Sequence, residues 1–119
     1  MSDKAEVSEI MESINFMQEA EWTKNEIGNY VDFIEISNTL PKSLSCVFIN
    51  LRTKERTEWC VRLSSEGYRI VGDGFDRLNK ESENLIFETV FSLMDHISPN
   101  YRASFNEELS QRLKGLQSD

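Results

Sequence analysis

The spacing of apolar residues predicts helices at both ends of this chain and strands in its middle. Apolar positions recur at helical intervals from Val7 to Met17, but no partner face is evident for them, so at most a short, frayed helix is expected there. A stronger stripe predicts a helix over Lys24–Asn38 that ends before Pro41. Gly28 lies inside this helix and weakens it by about 1 kcal/mol relative to alanine.

The middle of the chain alternates between apolar and polar residues, as strands do. Three antiparallel strands are predicted at Ser45–Thr53, Thr57–Ser64 and Tyr68–Gly72, the first two joined by a tight turn with Lys54 and Glu55 at its tip. In this register one face of the predicted sheet points to the core, and the other face is only partly exposed to solvent. The core face carries Phe48, Trp59, Val61, Leu63, Tyr68 and Ile70, and the opposite face carries Val47, Ile49, Leu51 and Val71.

Two helices are predicted to follow the strands. The first runs from about Ser82 to Ile97 and is apolar over so much of its surface that it must be central. Ser98 and Pro99 then give a helix start signal, since serine caps the first amides and proline has no amide hydrogen to leave unpaired. The second helix carries Tyr101, Phe105, Leu109, Leu113 and Leu116 on one face.

Strands followed by helices indicate an α+β fold rather than a parallel βαβ arrangement. We expect an N-terminal helix, a three-stranded antiparallel β-meander and two C-terminal helices packed on the sheet. Residues 1–22 are expected to be a loosely ordered N-terminal segment with at most a short helix. Residues 23–119 are expected to form a single domain, which the chain length of 119 residues also favours.

Charge and hydropathy exclude several classes of partner. The net charge of −8 at pH 7, from 21 acidic and 13 basic residues, argues against binding a phosphate backbone. No apolar run in the sequence approaches the roughly 20 residues that span a bilayer. The acidic start of the chain lacks the pattern of a signal peptide. The sequence therefore predicts a cytoplasmic protein, small enough to enter the nucleus by diffusion, that binds neither nucleic acid nor membrane.

Residues that carry chemistry in enzymes are sparse. In the predicted register Cys46 and Cys60 point to opposite faces, so a disulfide is excluded and two reduced thiols are expected. Neither has a histidine close in sequence, which argues against a zinc site. His96, the only histidine, lies near a helix end where a cation is favoured, and a structural role is expected for it. We predict no catalytic residue, no metal and no cofactor, and an enzyme is not expected.

The terminal helix has two interpretations. A short connection makes it antiparallel to the preceding helix, so Tyr101 and Phe105, close to that connection, are expected to be core residues. Leu113 and Leu116 lie three to four turns further along the helix, at about 1.5 Å per residue. The residues alone fit edge packing and contact with a partner equally well for these two leucines. Arg112 fits either a charged contact at the rim of such an interface or an intrahelical pair with the preceding Glu108.

A series of short motifs runs in order from about Lys42 to Leu116. They are Thr53-Lys54-Glu55-Arg56, Trp59-Cys60-Val61 with Leu63, Val71-Gly72, Phe75-Asp76, Glu88 to Leu93, Ser98-Pro99, Tyr101-Arg102, Phe105, and Leu109 with Gln111-Arg112-Leu113. Together these motifs resemble the GSKIP family, whose members are small proteins named for binding glycogen synthase kinase 3-beta. The same domain occurs in the much larger clustered-mitochondria proteins, and this short chain resembles the stand-alone member.

The resemblance implies a non-enzymatic adaptor that binds glycogen synthase kinase 3 through its C-terminal helix. It also implies that binding regulates phosphorylation of the kinase's substrates, by inhibition or by scaffolding. The leucines at the end of the helix would then contact the partner in a helix-in-groove mode. The implied kinase-binding residues are Phe105, Leu109, Gln111, Arg112, Leu113 and Leu116. A monomer is expected.

Some members of this family also anchor the regulatory subunit of protein kinase A through the helix before the strands. The matching stripe here would be Ile27, Val31 and Ile34. Gly28 and Asp32 stand at family aliphatic positions of that docking surface, so a glycine and a charge interrupt the family's pattern in this chain. A further alternative is an interaction module for an unrelated partner.

Overall fold

A helix opens the described part of the chain and packs on an antiparallel sheet. The computed structural model describes residues 16–117 apart from 42 and 44, and residues 16–27 of it form helix α1. A 3-10 turn, Gly28–Tyr30, follows. The remaining elements are strands β1 (Val31–Ile36), β2 (Cys46–Thr53), β3 (Glu58–Ser64), β4 (Gly67–Gly72) and β5 (Leu85–Phe87), and helices α2 (Val90–Ile97) and α3 (Pro99–Gln117).

The predicted α+β class is confirmed, but the sheet has more strands than the meander predicted from the sequence. The described strands form one five-stranded antiparallel sheet in the order β1-β2-β3-β4-β5. Strands β2, β3 and β4 correspond to the three predicted strands. The two edge strands, β1 and β5, fall where the apolar spacing predicts helices, so the predicted strand number is wrong.

The predicted helix over Lys24–Asn38 is wrong beyond residue 27, because its second half contains strand β1. The pairing of β1 with β2 shifts by one residue between Val31 and Phe33, which marks a β-bulge. The bulge brings Val31 and Ile34 to the same buried face although they are three residues apart. An extra residue in a strand thus reproduces the spacing of a helix, and apolar spacing alone does not separate the two.

The predicted helix from Ser82 is wrong before Val90. Residues 85–87 instead form β5, which pairs with β4. Helix α2 begins after Thr89, whose hydroxyl oxygen accepts a hydrogen bond from the Ser92 amide at 3.1 Å. Beyond this cap the predicted stripe is confirmed, since the buried side chains of α2 are Val90, Leu93, Met94 and Ile97.

The predicted turn between β2 and β3 is one residue too short. Residues 54–56 form its tip, and Arg56 has a φ of 73°, the left-handed conformation that is typical of three-residue hairpin loops. The extra residue shifts the register by one, so that Leu51 rather than Asn50 lies opposite Trp59.

This shift exchanges the two faces of β2, because successive side chains of a strand point to opposite sides. Phe48, predicted to face the main core, lies on the other face with Cys60 and Val71. The β2 residues of the main core are Val47, Ile49 and Leu51. On β3 and β4 the predicted core face is confirmed.

The two cysteines are free, but the reason differs from the predicted one. They lie on the same face, because Cys46 pairs with Ser64 while Cys60 pairs with Asn50. Four residues separate the two positions along the ladder, which at about 3.3 Å per residue is about 13 Å and too far for a disulfide. Burial raises the pKa of the Cys60 thiol to about 11, so this thiol stays protonated.

Helices α1 and α2 cover one face of the sheet and close the main core. Ala20 and Ile27 from α1 and Leu93 from α2 are fully buried in it. The hydroxyls of Thr23 and Tyr68 share a buried hydrogen bond of 2.7 Å. Helix α1 is therefore joined to β4 by a specific polar contact as well as by packing.

The N-terminal segment that was predicted to be loosely ordered overlaps α1. Its residues 16–22 belong to the helix. Residues 1–15, with most of the Val7–Met17 stripe, lie outside the described residues. The division of the chain into 1–22 and 23–119 stays a prediction.

Candidate functional site

Helix α3 carries an uncovered apolar ridge. Phe105, Leu109 and Leu113 follow one another at four-residue intervals and are 43%, 45% and 49% exposed. Side chains four residues apart are neighbours on a helix surface, so the three form a continuous row. We call this row the α3 stripe.

The residues that the sequence predicts to bind a partner all belong to α3. Gln111 and Arg112 are exposed. The side chain of Leu116 lies outside the described residues. Phe105, expected from its position to be a core residue, is instead largely exposed, so the stripe begins one turn earlier than that argument placed it.

The first turn of α3 is fixed to the domain. Tyr101 is 3% exposed, as predicted, and its ring meets that of Tyr30 edge to face with centroids 5.2 Å apart. Burial raises the pKa of Tyr101 to about 12. The Ser98 hydroxyl oxygen accepts a hydrogen bond from the Tyr101 amide at 3.2 Å, which confirms the predicted helix start. The α3 stripe therefore extends from an anchored first turn.

A cleft lies between α3 and the body of the domain. It has a volume of about 210 Å³, and its lining includes Glu26, Tyr30 and Phe91 from the body and Phe105 and Leu109 from α3. Two residues of the α3 stripe thus form one wall of the cleft. A partner that covers the stripe would also reach this opening.

One edge of the cleft is polar. The Tyr30 hydroxyl donates a hydrogen bond to the Glu108 carboxylate, and this bond is the main reason that the pKa of Tyr30 is raised. Glu108 also accepts a hydrogen bond of 2.8 Å from the Arg112 guanidinium. The intrahelical pair considered for Arg112 is therefore present. The Arg112 side chain is still 74% exposed, so its outer face can reach a partner.

The apolar surface continues from the cleft onto α1. Trp22 is 47% exposed, and its ring meets Phe91 edge to face with centroids 6.0 Å apart. Glu26, Asp95 and Arg102 line the same region and give it a charged border. Sequence reasoning missed this extension, because the residues come from separate elements. The one local signal is a tryptophan in an otherwise acidic segment.

The stripe considered for anchoring a kinase regulatory subunit is not on the surface. Ile27, Val31 and Ile34 are 0%, 4% and 9% exposed and belong to the main core. The first ends α1 and the other two lie on β1, so they share no helix face. These side chains instead pack α1 and β1 into the domain, so they form no exposed helix stripe, and the anchoring role stays a prediction.

The described residues form no evident metal centre. They include no group of three or more histidine, cysteine or acidic side chains that could hold a metal ion. His96 is exposed, and its ring contacts that of Phe87 with centroids 5.2 Å apart. In this part of the chain no helix is both long and apolar enough to cross a membrane. An apolar ridge beside a cleft with charged borders is suited to binding another protein.

Comparison with known proteins identifies relatives of this chain. A family model for the GSKIP domain matches residues 16–116. The chain is 38% identical to the Mus musculus GSK3B-interacting protein and 40% identical to the Gallus gallus GSK3-beta interaction protein, each over 101 residues that cover 85% of this chain and 73% of the relative. It is 33% identical over 87 residues to the Drosophila melanogaster Protein GSKIP homolog, covering 71% of this chain and 73% of that relative.

Proposed function

Since this chain belongs to the GSKIP domain family, we propose that it is an adaptor that binds glycogen synthase kinase 3 through helix α3. The mouse and chicken relatives are named for interaction with this kinase. The family match extends to residue 116, so it includes the α3 stripe. Membership supports the identity of the partner, and the geometry of α3 supports the place where it binds.

The exposure of the α3 stripe is the observation that carries the proposal. Removing apolar surface from water is worth about 25 cal/mol per Å², yet Phe105, Leu109 and Leu113 remain uncovered on this helix. The same helix buries Tyr101 one turn earlier. A row of large apolar side chains at every fourth position is the pattern by which a helix enters an apolar groove of a partner.

The stripe and its neighbours would have different parts in the interface. Buried aromatic and apolar side chains at the centre of an interface supply most of its affinity, whereas charges at its rim change association rate and salt dependence. The proposed central residues are Phe105, Leu109 and Leu113, the proposed rim residues are Gln111 and Arg112, and Leu116 extends the central row by its sequence position.

We propose further that this binding regulates the kinase and that the chain performs no reaction itself. A helix in a groove of the kinase excludes every substrate that needs the same groove, while the body of the adaptor stays beside the kinase. Inhibition of groove-dependent substrates is therefore the expected effect. Phosphorylation of a protein substrate, measured with saturating chain and again with the Leu113→Asp variant, tests this role. Unchanged rates with bound wild-type chain would contradict regulation and leave binding intact.

Leu113→Asp tests the interface, with Lys114→Asp as its matched control. Both positions are exposed, and they point about 100° apart around the helix. We expect Leu113→Asp to weaken the affinity for purified glycogen synthase kinase 3 by about 30-fold, the effect of losing about 2 kcal/mol at a central residue. The control should change it less than about threefold. Titration calorimetry measures both, and wild-type affinity of a folded Leu113→Asp chain would overturn the proposal.

A further inference from the structure

The turn between β2 and β3 is held against the first turn of α3. Its residues 53–56 form one of the motifs that indicate the family, yet none of them belongs to the α3 stripe. We propose that Glu55, at the tip of this turn, is a positioning residue that fixes the direction of α3 and so presents the stripe to its partner. The inference rests on the proposed function only for the identity of that partner.

Glu55 holds the start of α3 through both oxygens of its carboxylate. The Ser98 hydroxyl donates to one oxygen and the Asn100 amide donates to the other, each at 2.8 Å. Ser98 is fully buried, so its bond is shielded from water. Burial alone raises the pKa of the Glu55 carboxyl, but hydrogen bonds, the largest contributions coming from Asn100 and Ser98, outweigh it and the net pKa is lowered. The negative charge therefore stays at the N-terminal end of the helix, where the helix dipole favours it.

The turn is also held from its other side by β1. Lys54 and Arg56, the neighbours of Glu55, approach the Asp32 carboxylate at 3.6 Å and 3.5 Å. Thr53 is fully buried and closes the base of the turn with a hydrogen bond of 2.6 Å across it. Surface ion pairs are individually weak, so the restraint comes from their combination with the buried base. The turn is thus a fixed support for α3.

A small change at this support is magnified at the α3 stripe. Leu113 lies fourteen residues beyond the start of α3, or about 21 Å along its axis. A tilt of about 10° at the first turn would move Leu113 by about 4 Å, which is most of one helical turn. Tyr101 and Glu108 hold α3 against Tyr30, and Glu55 holds it against the hairpin. Two separate parts of the body thus set its direction.

Three variants of the whole chain test the inference by amide hydrogen exchange, which needs no partner. Glu55→Ala removes the carboxylate that holds the start of α3, Glu55→Gln keeps one accepting oxygen, and Glu66→Ala is the matched control. Glu66 is an exposed carboxylate in the next hairpin turn, between β3 and β4. Loss of a helix cap should speed exchange in residues 100–104 by about tenfold in Glu55→Ala, with Glu55→Gln in between and exchange in the sheet unchanged. Unchanged exchange in residues 100–104 of Glu55→Ala would overturn the inference.

Affinity for purified glycogen synthase kinase 3 then separates a positioning role from a merely structural one. We expect Glu55→Ala to bind about tenfold more weakly while keeping a cooperative melt, Glu55→Gln to recover part of the loss, and Glu66→Ala to bind like wild type. If Glu55→Ala exchanges faster but binds with wild-type affinity, while Leu113→Asp weakens binding, the positioning role is overturned. If Leu113→Asp also binds like wild type, the proposed function has failed, and the exchange rates alone decide whether Glu55 fixes α3.

Discussion

Truncating Tyr101 should destabilise the domain far more than truncating Leu113, although both residues lie on α3. Tyr101 is 3% exposed, and a buried aromatic side chain covers about 150–250 Å², worth about 4–6 kcal/mol at about 25 cal/mol per Å². Alanine keeps part of that area, and we expect Tyr101→Ala to lower the free energy of unfolding by about 4 kcal/mol. Leu113 is 49% exposed near the end of the described helix. Because alanine is the better helix former, Leu113→Ala should change the free energy of unfolding by less than about 0.5 kcal/mol.

Urea denaturation followed by far-ultraviolet circular dichroism measures both values, with equal slopes expected for the two variants. Tyr101→Phe is the control, since it keeps the ring and its contact with Tyr30 and should cost less than about 1.5 kcal/mol. A loss below about 1 kcal/mol in Tyr101→Ala, or an equal loss in Leu113→Ala, would refute the reasoning. Either result would mean that the first turn of α3 is packed no more firmly on the domain than the exposed rest of the helix.

Other variants test the backbone, the thiols and the acid sensitivity of the fold. Gly67 has a φ of 114°, and an added Cβ would lie 2.4 Å from a backbone oxygen of β5. Gly67→Ala should therefore lower the melting temperature and cost about 3 kcal/mol. Around Gly28 the space is open, so Gly28→Ala should stabilise the fold by about 0.4–1 kcal/mol. A chain that loses more stability in Gly28→Ala than in Gly67→Ala would contradict the geometry. The Cys60 thiol, buried and with its pKa raised to about 11, should react with Ellman's reagent at pH 8 only after Cys46, and simultaneous labelling of the folded chain would count against this. Hydrogen bonds from an amide and a hydroxyl side chain lower the pKa of Asp76. The contribution of Asp76 to stability is therefore complete above its unfolded pKa of about 3.9, and it is lost as the pH falls through the lower pKa of the folded state. In Asp76→Asn the urea midpoint should therefore fall less steeply as the pH is lowered. An unchanged pH profile would show that this carboxyl does not contribute to the loss of stability in acid.

The elements that could be predicted are those whose signal is local. Alternation in β2, β3 and β4 and the stripe of α2 each lie within one short segment. Strand β1 escaped prediction because its bulge gives Val31 and Ile34 the spacing of a helix. Strand β5 has only three residues and runs directly into the segment before α2, so it offers too short an alternation to recognise.

The register of β2 and the functional site could also be predicted only as far as their signals are local. One left-handed residue, Arg56, lengthens a turn and exchanges the faces of β2, and nothing in the local pattern demands it. The row Leu109–Leu113 was visible in the sequence, because helical spacing is a local property. The exposure of Phe105 and the approach of Trp22 and Phe91 were not, since they depend on how α3 leaves the domain.

The exchange footprint of the kinase on this chain would locate the interface without any substitution. Amide hydrogen exchange of the purified chain is compared with and without saturating glycogen synthase kinase 3. Binding through the α3 stripe predicts slower exchange concentrated in residues 105–117, with smaller protection at the cleft residues 26–30 and none in β2 and β3. Protection confined to the sheet, or a bound kinase that leaves α3 exchanging as in the free chain, would contradict docking through this helix.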